Sequence, residues 1–149
     1  DAFDDKKVFG STTYVMGVHK SESNLNVAIR ENSSILLENN YQMNYEGFNP
    51  SEPESYIALS MYQTDHLNNS LLLASKIQNQ FRERVSRKDR GVKQAGFMVI
   101  SRATMPSVLV ELGFLTNYNE EDFLHSKSGV IILIHVSSSN IPFSLIYLK

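Results

Sequence analysis

The sequence predicts an α/β domain in which helices cover a sheet. Two segments rich in Thr, Tyr, Val or Leu, at residues 10–17 and 108–112, have the length and composition of strands. Two longer segments, 21–40 and 54–85, repeat apolar residues every three to four positions, as a helix with one buried face does. The chain has 149 residues and 42% hydrophobic content, which suits one domain large enough to bury a core.

The first strand is "GSTTYVMG", residues 10–17, bounded by two glycines. The helix that follows places Leu25, Ala28, Ile29, Asn32, Ile35 and Leu36 on one face. Ser21 or Ser23 can cap its start, and Asn39-Asn40 suits its end. Residues 39–55 hold one Gly, two Pro and a crowd of polar and aromatic side chains, so they predict a long loop or insertion. A second helical pattern runs from near Glu54 to about Val85, interrupted around 64–69. Its stripe is Leu67, Leu71, Ala74, Ile77, Phe81 and Val85. After the polar stretch "SRKDRGVKQAG", the apolar "FMVIS" (97–101) predicts a strand, then a loop to Pro106, then the strand 108–112. "TNYNEEDFL" predicts a helix start. Asn117 is the cap, Glu120, Glu121 and Asp122 sit in the positive first turn, and Phe123 and Leu124 face the core. The end, 129–149, is a β-branched run, a serine patch, and a second apolar run broken by Pro142.

Several function classes lose their chemistry here. With no cysteine, disulfides, thiolate nucleophiles and cysteine zinc sites are excluded. A net charge of −2 gives no global reason to bind nucleic acid or an anionic membrane. The longest apolar run, "VIILIHV", is far shorter than the ~20 residues that span a bilayer. No apolar leader opens the sequence. His19, His66, His125 and His135 lack the H-x-x-x-H spacing of a helical zinc site, and no G-x-S-x-G elbow supports a serine triad.

Three features remain open to a functional reading. Half of the 14 basic residues fall between Lys76 and Lys93. They read as a polyanion contact or as a solvated helix end. Tyr41, Tyr45, Phe48, Tyr56 and Tyr62 either form a ligand platform or a lid, or pin the long loop to the domain. Glu111 is the sharpest, a carboxylate inside the apolar run "SVLVELGF". It is either a salt-bridge partner of Arg102 or Arg90, or a general base at the mouth of a cleft.

The stretch "RGVKQAGFMVISRATMPSVLVELGFLTNYNEEDFL", 90–124, resembles the C-terminal signature of the N-acetylmuramoyl-L-alanine amidases of the amidase-3 type: R/K-G-V-K, a strand, P-S-x-L-V-E-x-G-F-x-x-N, and an acidic helix start. Upstream, "GSTTYVMGVHKSESNLNVAIREN" resembles the family's G-x-x-T-Y strand and next helix, especially in forms from Bacteroides-like bacteria. The likeness covers roughly residues 1–128. It implies an α/β fold with a mixed sheet, left incomplete by the absence of the family's first strands. It also implies a peptidoglycan hydrolase of the bacterial envelope, periplasmic or extracellular, with zinc as cofactor.

By the resemblance Glu111 is the catalytic glutamate. It takes a proton from zinc-bound water attacking the amide between N-acetylmuramic acid and L-alanine, then gives one to the leaving amine. Arg102 and Asn117 are expected to position the loops around it. The ligand motifs P-G-H-G-G and S-I-H-x-N-A do not occur, so the zinc ligands are expected upstream of Asp1 and the chain alone is expected to be inactive. The 39–69 region is longer than in minimal amidases and is expected to be an insertion or gate, with an activator protein as a possible partner. The apolar end, 129–149, departs from the family's amphipathic helix. The rival reading is a non-catalytic module gripping an anionic polymer through Lys76–Lys93.

Overall fold

The computed structural model describes residues 6–60, 66–127, 129 and 145–148. They form a mixed four-stranded sheet in the order β2-β1-β3-β4. β1 (Ser11–Met16) lies parallel to β2 (Asp89–Ala95) and antiparallel to β3 (Ser107–Glu111), and β3 pairs parallel with β4 (Leu145–Leu148). The α/β class with a mixed sheet is as the sequence predicts.

Every residue of β1 and β3 is buried, so both strands have packed faces. On one face Tyr14, Met16 and Leu109 pack with α1 (Glu22–Asn32), Phe48, Tyr56, Leu59 and Phe97. On the other, Val15, Val108 and Val110 meet Leu73, Ala74, Ile77 and Phe81 of α4 (Leu67–Val85). Ala74, Ile77 and Phe81 belong to the predicted stripe, and its remaining members are partly buried against the same cluster. Buried polar groups on α4 find partners, as they must. Ser70 accepts from the Ser107 amide at 3.0 Å, and Gln78 bonds the Thr13 hydroxyl at 2.9 Å.

The structure corrects three sequence expectations. The first helix ends at Asn32 rather than near Asn40 and tightens into a 3-10 turn, Ser33–Leu37. There the Ser33 and Ser34 hydroxyls donate to the carbonyls of Arg30 and Glu31, a local competition that weakens regular helix. Within the expected loop a one-turn helix α2 forms (Tyr41–Asn44), and α3 begins at Pro53 (Pro53–Ser60).

The largest correction concerns residues 89–101. The polar stretch is the strand β2, and the apolar "FMVIS" is a helical turn, α5 (Met98–Ser101). β2 is an edge strand of the described sheet with mostly half-buried side chains, so no apolar alternation marks it. A short apolar run suits either a buried strand or a buried helical turn. Asn32 decides this one by bridging the turn. Its Nδ2 donates to the Gly96 carbonyl at 2.7 Å, and its Oδ1 accepts from the Met98 amide at 2.9 Å.

Candidate active site

Thr12 of β1 faces Glu111 of β3, and Ser11 pairs with Asp89 of β2. The starts of β1 and β2 and the finish of β3 therefore share one end of the sheet. Glu111 is 1% exposed there. Directly opposed residues of antiparallel strands point to the same face, so the Glu111 side chain lies on the face that carries Tyr14. Thr12 is fully buried beside it, and its hydroxyl has no hydrogen-bond partner among the described residues.

The backbone just after Glu111 is clamped. Arg87, just past the C-terminal cap of α4, donates to the Leu112 carbonyl at 2.8 Å and to Glu120 Oε2 at 2.6 Å. Glu120, in the first turn of α6 (Tyr118–His125), also accepts from the Gly10 amide at 3.2 Å. Both side chains are over nine-tenths buried. A pair so desolvated depends on good geometry, the more so because Arg87 Nε is buried without a hydrogen-bond partner among the described residues. The Arg87 guanidinium also stacks 4.6 Å from the Phe123 ring centre.

Two glycines permit this approach. A Cβ on Gly113 would sit 2.6 Å from Glu120 Oε2, and a Cβ on Gly10, at φ +104, would collide with the Lys88 carbonyl. Glycine in "ELGF" thus makes room for the ion pair just past the end of the strand.

The structure separates the three candidate residues. Asn117 belongs to the Glu111 end. Its Oδ1 caps α6 through the Asn119 amide at 3.1 Å, and its Nδ2 donates to the Val8 carbonyl at 3.1 Å. Arg102 lies before β3, at the opposite end of the sheet, where it pairs with Glu46 at 3.2 Å. Sequence adjacency to Glu111 misled because a whole strand separates them. Residues 39–60 gather at that same opposite end. Tyr56 and Leu59 lie against Gly96, and Tyr45, Phe48, Met98, Ser101 and Arg102 line a hollow of about 210 Å³.

The basic stretch Lys76–Lys93 is dispersed. Arg82 pairs with Asp89 at 2.8 Å, Arg87 with Glu120, and Lys88, Arg90 and Lys93 lie over Phe9, Phe114 and Tyr14. Only Arg87 of these is deeply buried, while Lys76, Arg82, Arg84 and Lys88 remain exposed. Burial, then the charge of Glu111, raises the phenol of Tyr14 well above its ordinary range, opposed by Arg90 and Arg30. Burial lowers Lys93, as does Arg90, while Glu111 opposes them. Among the described residues no three His, Cys, Asp or Glu side chains converge on a possible metal, so these residues do not by themselves fit a zinc site. His135 lies outside the described residues.

Residues 1–135 match the N-acetylmuramoyl-L-alanine amidase family, Amidase_3. The chain belongs to this family. The amidase chain is 48% identical over 67 residues to the uncharacterised protein YqiI of Bacillus subtilis (strain 168), a match covering 44% of this chain and 32% of YqiI. It is 38% identical over 68 residues to N-acetylmuramoyl-L-alanine amidase AmiA of Escherichia coli (strain K12), covering 46% of this chain and 24% of AmiA. A solved N-acetylmuramoyl-L-alanine amidase from Clostridium difficile 630 aligns with a TM-score of 0.47 and 17% identity over 92% of this chain and 53% of that one. The amidase chain thus spans less than a third of the length of these curated relatives.

Sequence reasoning missed Arg87 and the bonding role of Glu120. Their signal was present but faint: an Arg soon after a long helix, and an acidic residue three positions past a helix cap. Only tertiary packing brings the two together.

Proposed function

We propose that this chain carries the proton-transferring carboxylate of a peptidoglycan amidase, and that the whole enzyme cleaves the amide between N-acetylmuramic acid and L-alanine in the bacterial envelope. One observation carries the reading. Within the family match, a carboxylate buried to 1% exposure ends a central strand, and its flanking backbone is fixed by a buried ion pair.

A buried carboxylate held at a strand end can accept a proton from an attacking water and return it to the departing amine of L-alanine. General acid–base help of this kind contributes about 10²–10⁴-fold. Zinc, the metal implied by the family, acidifies water and polarises a carbonyl when bound. The described residues do not form its site, so its ligands are proposed to lie outside them. This chain alone is then expected neither to hold stoichiometric zinc nor to cleave peptidoglycan, and one tightly bound zinc per chain by metal analysis would overturn that expectation.

The test of Glu111 uses a polypeptide that joins this chain to the zinc-ligand segment, with purified peptidoglycan as substrate and newly freed L-alanine amino groups as readout. Glu111→Gln should lower the rate by about 10²-fold or more. An undiminished rate would remove Glu111 from the chemistry. Salt-sensitive binding of an anionic polymer that survives Glu111→Ala, without any hydrolysis, would instead support the non-catalytic reading.

A further inference from the structure

We propose that Thr12 is a water-positioning residue of the hydrolysis: its hydroxyl and the Glu111 carboxylate hold between them the water that Glu111 deprotonates. The inference rests on the proposed role of Glu111 as the proton acceptor. It begins with an energetic requirement: a hydroxyl taken out of water needs a hydrogen-bond partner, because burial without one costs free energy. Thr12 is fully buried, and its hydroxyl has no such partner among the described residues.

The residues on either side of Thr12 show the requirement being met. β1 opens on three hydroxyl side chains in a row, Ser11, Thr12 and Thr13, all fully buried. Side chains alternate across a strand. Ser11 and Thr13 face α4, where both bond Gln78, at 3.4 and 2.9 Å. Thr12 faces the other side of the sheet, the side that carries Glu111. The strand thus satisfies two hydroxyls and leaves the third unpaired, at the residue directly opposite the candidate base.

Register sets the spacing of the two groups. Directly opposed residues of antiparallel strands have Cβ atoms about 4.5–5.5 Å apart. Two hydrogen bonds of about 2.8 Å that meet at one oxygen span a similar distance. A water held there donates one hydrogen to Glu111 and the other to the Thr12 oxygen, which leaves a lone pair for the amide carbonyl carbon. The water's O–H bond toward Glu111 then breaks, its proton passes to the carboxylate, and its oxygen forms the new C–O bond. Thr12 keeps its own proton throughout. The ladder to β2 also slips at this residue: Ser11 pairs with Asp89 but Thr13 with Val92, so Arg90 and Gly91 together oppose Thr12. Bulges of this kind recur next to active sites, where they end regular pairing or re-aim a side chain.

The experiment uses the same joined polypeptide, a soluble muropeptide as substrate, and urea unfolding measured in parallel. Thr12→Val keeps the side-chain shape and removes the hydroxyl. It should lower kcat about tenfold or more with KM within about twofold, and Thr12→Ser should restore most of the rate. Its urea midpoint should stay close to wild type, because the lost hydroxyl makes no bond inside the described fold. In the Glu111→Gln background Thr12→Val should cost little further, since both groups act on one water. A wild-type rate in Thr12→Val, a Thr12→Ser as slow as Thr12→Val, or the same fold-loss in both backgrounds overturns the proposal. A Thr12→Val that unfolds far below wild type, or does not fold, makes the hydroxyl a support of the fold and overturns it too. An unimpaired Thr12→Val beside a hydrolysis-dead Glu111→Gln sinks the role of Thr12 alone. A fully active Glu111→Gln sinks Glu111 as the base, and this proposal with it.

Discussion

The two ends of the sheet are built from different materials. At the Glu111 end, chain segments far apart in sequence are joined by charged and polar side chains: Arg87 to Glu120 and Leu112, Glu120 to Gly10, and Asn117 to Val8. At the insertion end Asn32 bonds Gly96 and Met98 and Ser70 bonds Ser107, but residues 39–60 are held largely by aromatic and aliphatic packing. Phe48 packs edge-on against Tyr56 at 5.2 Å, and the ion pair there, Arg102–Glu46, is exposed. Directional bonds fix atoms to within a fraction of an ångström, whereas apolar contact fixes volume and tolerates rearrangement. Directional bonds occur at both ends, and what the Glu111 end adds among the described residues is a buried ion pair, Arg87–Glu120, that fixes the backbone beside the candidate base.

Substitutions can break this contrast, and the largest effect belongs to the buried ion pair. Arg87→Met leaves Glu120 desolvated and poorly compensated, and should cost about 3–5 kcal/mol in denaturant unfolding. Adding Glu120→Leu should recover part of that loss, because an apolar pair replaces a stranded charge, while the Gly10 amide still loses its acceptor. Asn117→Ala removes the cap of α6 and the tie to Val8, and should cost about 1 kcal/mol by the same measurement. At the other end, Arg102→Ala breaks only an exposed pair and should change stability by less than about 0.5 kcal/mol. A cost at Arg102 equal to that at Arg87 would erase the distinction between the ends.

The smallest effect at neutral pH sharpens the comparison instead. In the folded state burial and the charge of Glu111 keep the Tyr14 phenol protonated above its ordinary value of 10.0, while in the unfolded chain it ionises near that value. The folded state therefore retains a proton that the unfolded state releases. The resulting stabilisation is complete below pH 10 and is lost as pH rises beyond it. Tyr14→Phe should leave unfolding at pH 7 nearly unchanged and flatten the decline above pH 10, monitored by circular dichroism across an alkaline titration.

Much of the fold was legible because its main elements declare their periods. The α4 stripe and the β-branched runs of β1 and β3 are packed as the sequence implies. β2 was not legible because an edge strand carries polar side chains, and "FMVIS" misled because a buried turn and a buried strand are equally apolar. Glu111 stood out as a charge inside an apolar run. The supports of the neighbouring backbone did not, since Arg87 and Glu120 look like ordinary surface residues until packing brings them together.

The pairing of β1 also dictates when this sheet can form during synthesis. Its neighbours within the sheet are residues 89–95 on one side and 107–111 on the other. Residues 11–16 are synthesised before both of these described partners, which follow only after α1 and α4. Closing so long a loop is slow, and a strand rich in Thr, Tyr and Val with open edges is a template for pairing with other chains meanwhile. The strand that sets the register of Glu111 therefore pairs with its described neighbours late, and gains from prompt synthesis of the residues that follow it.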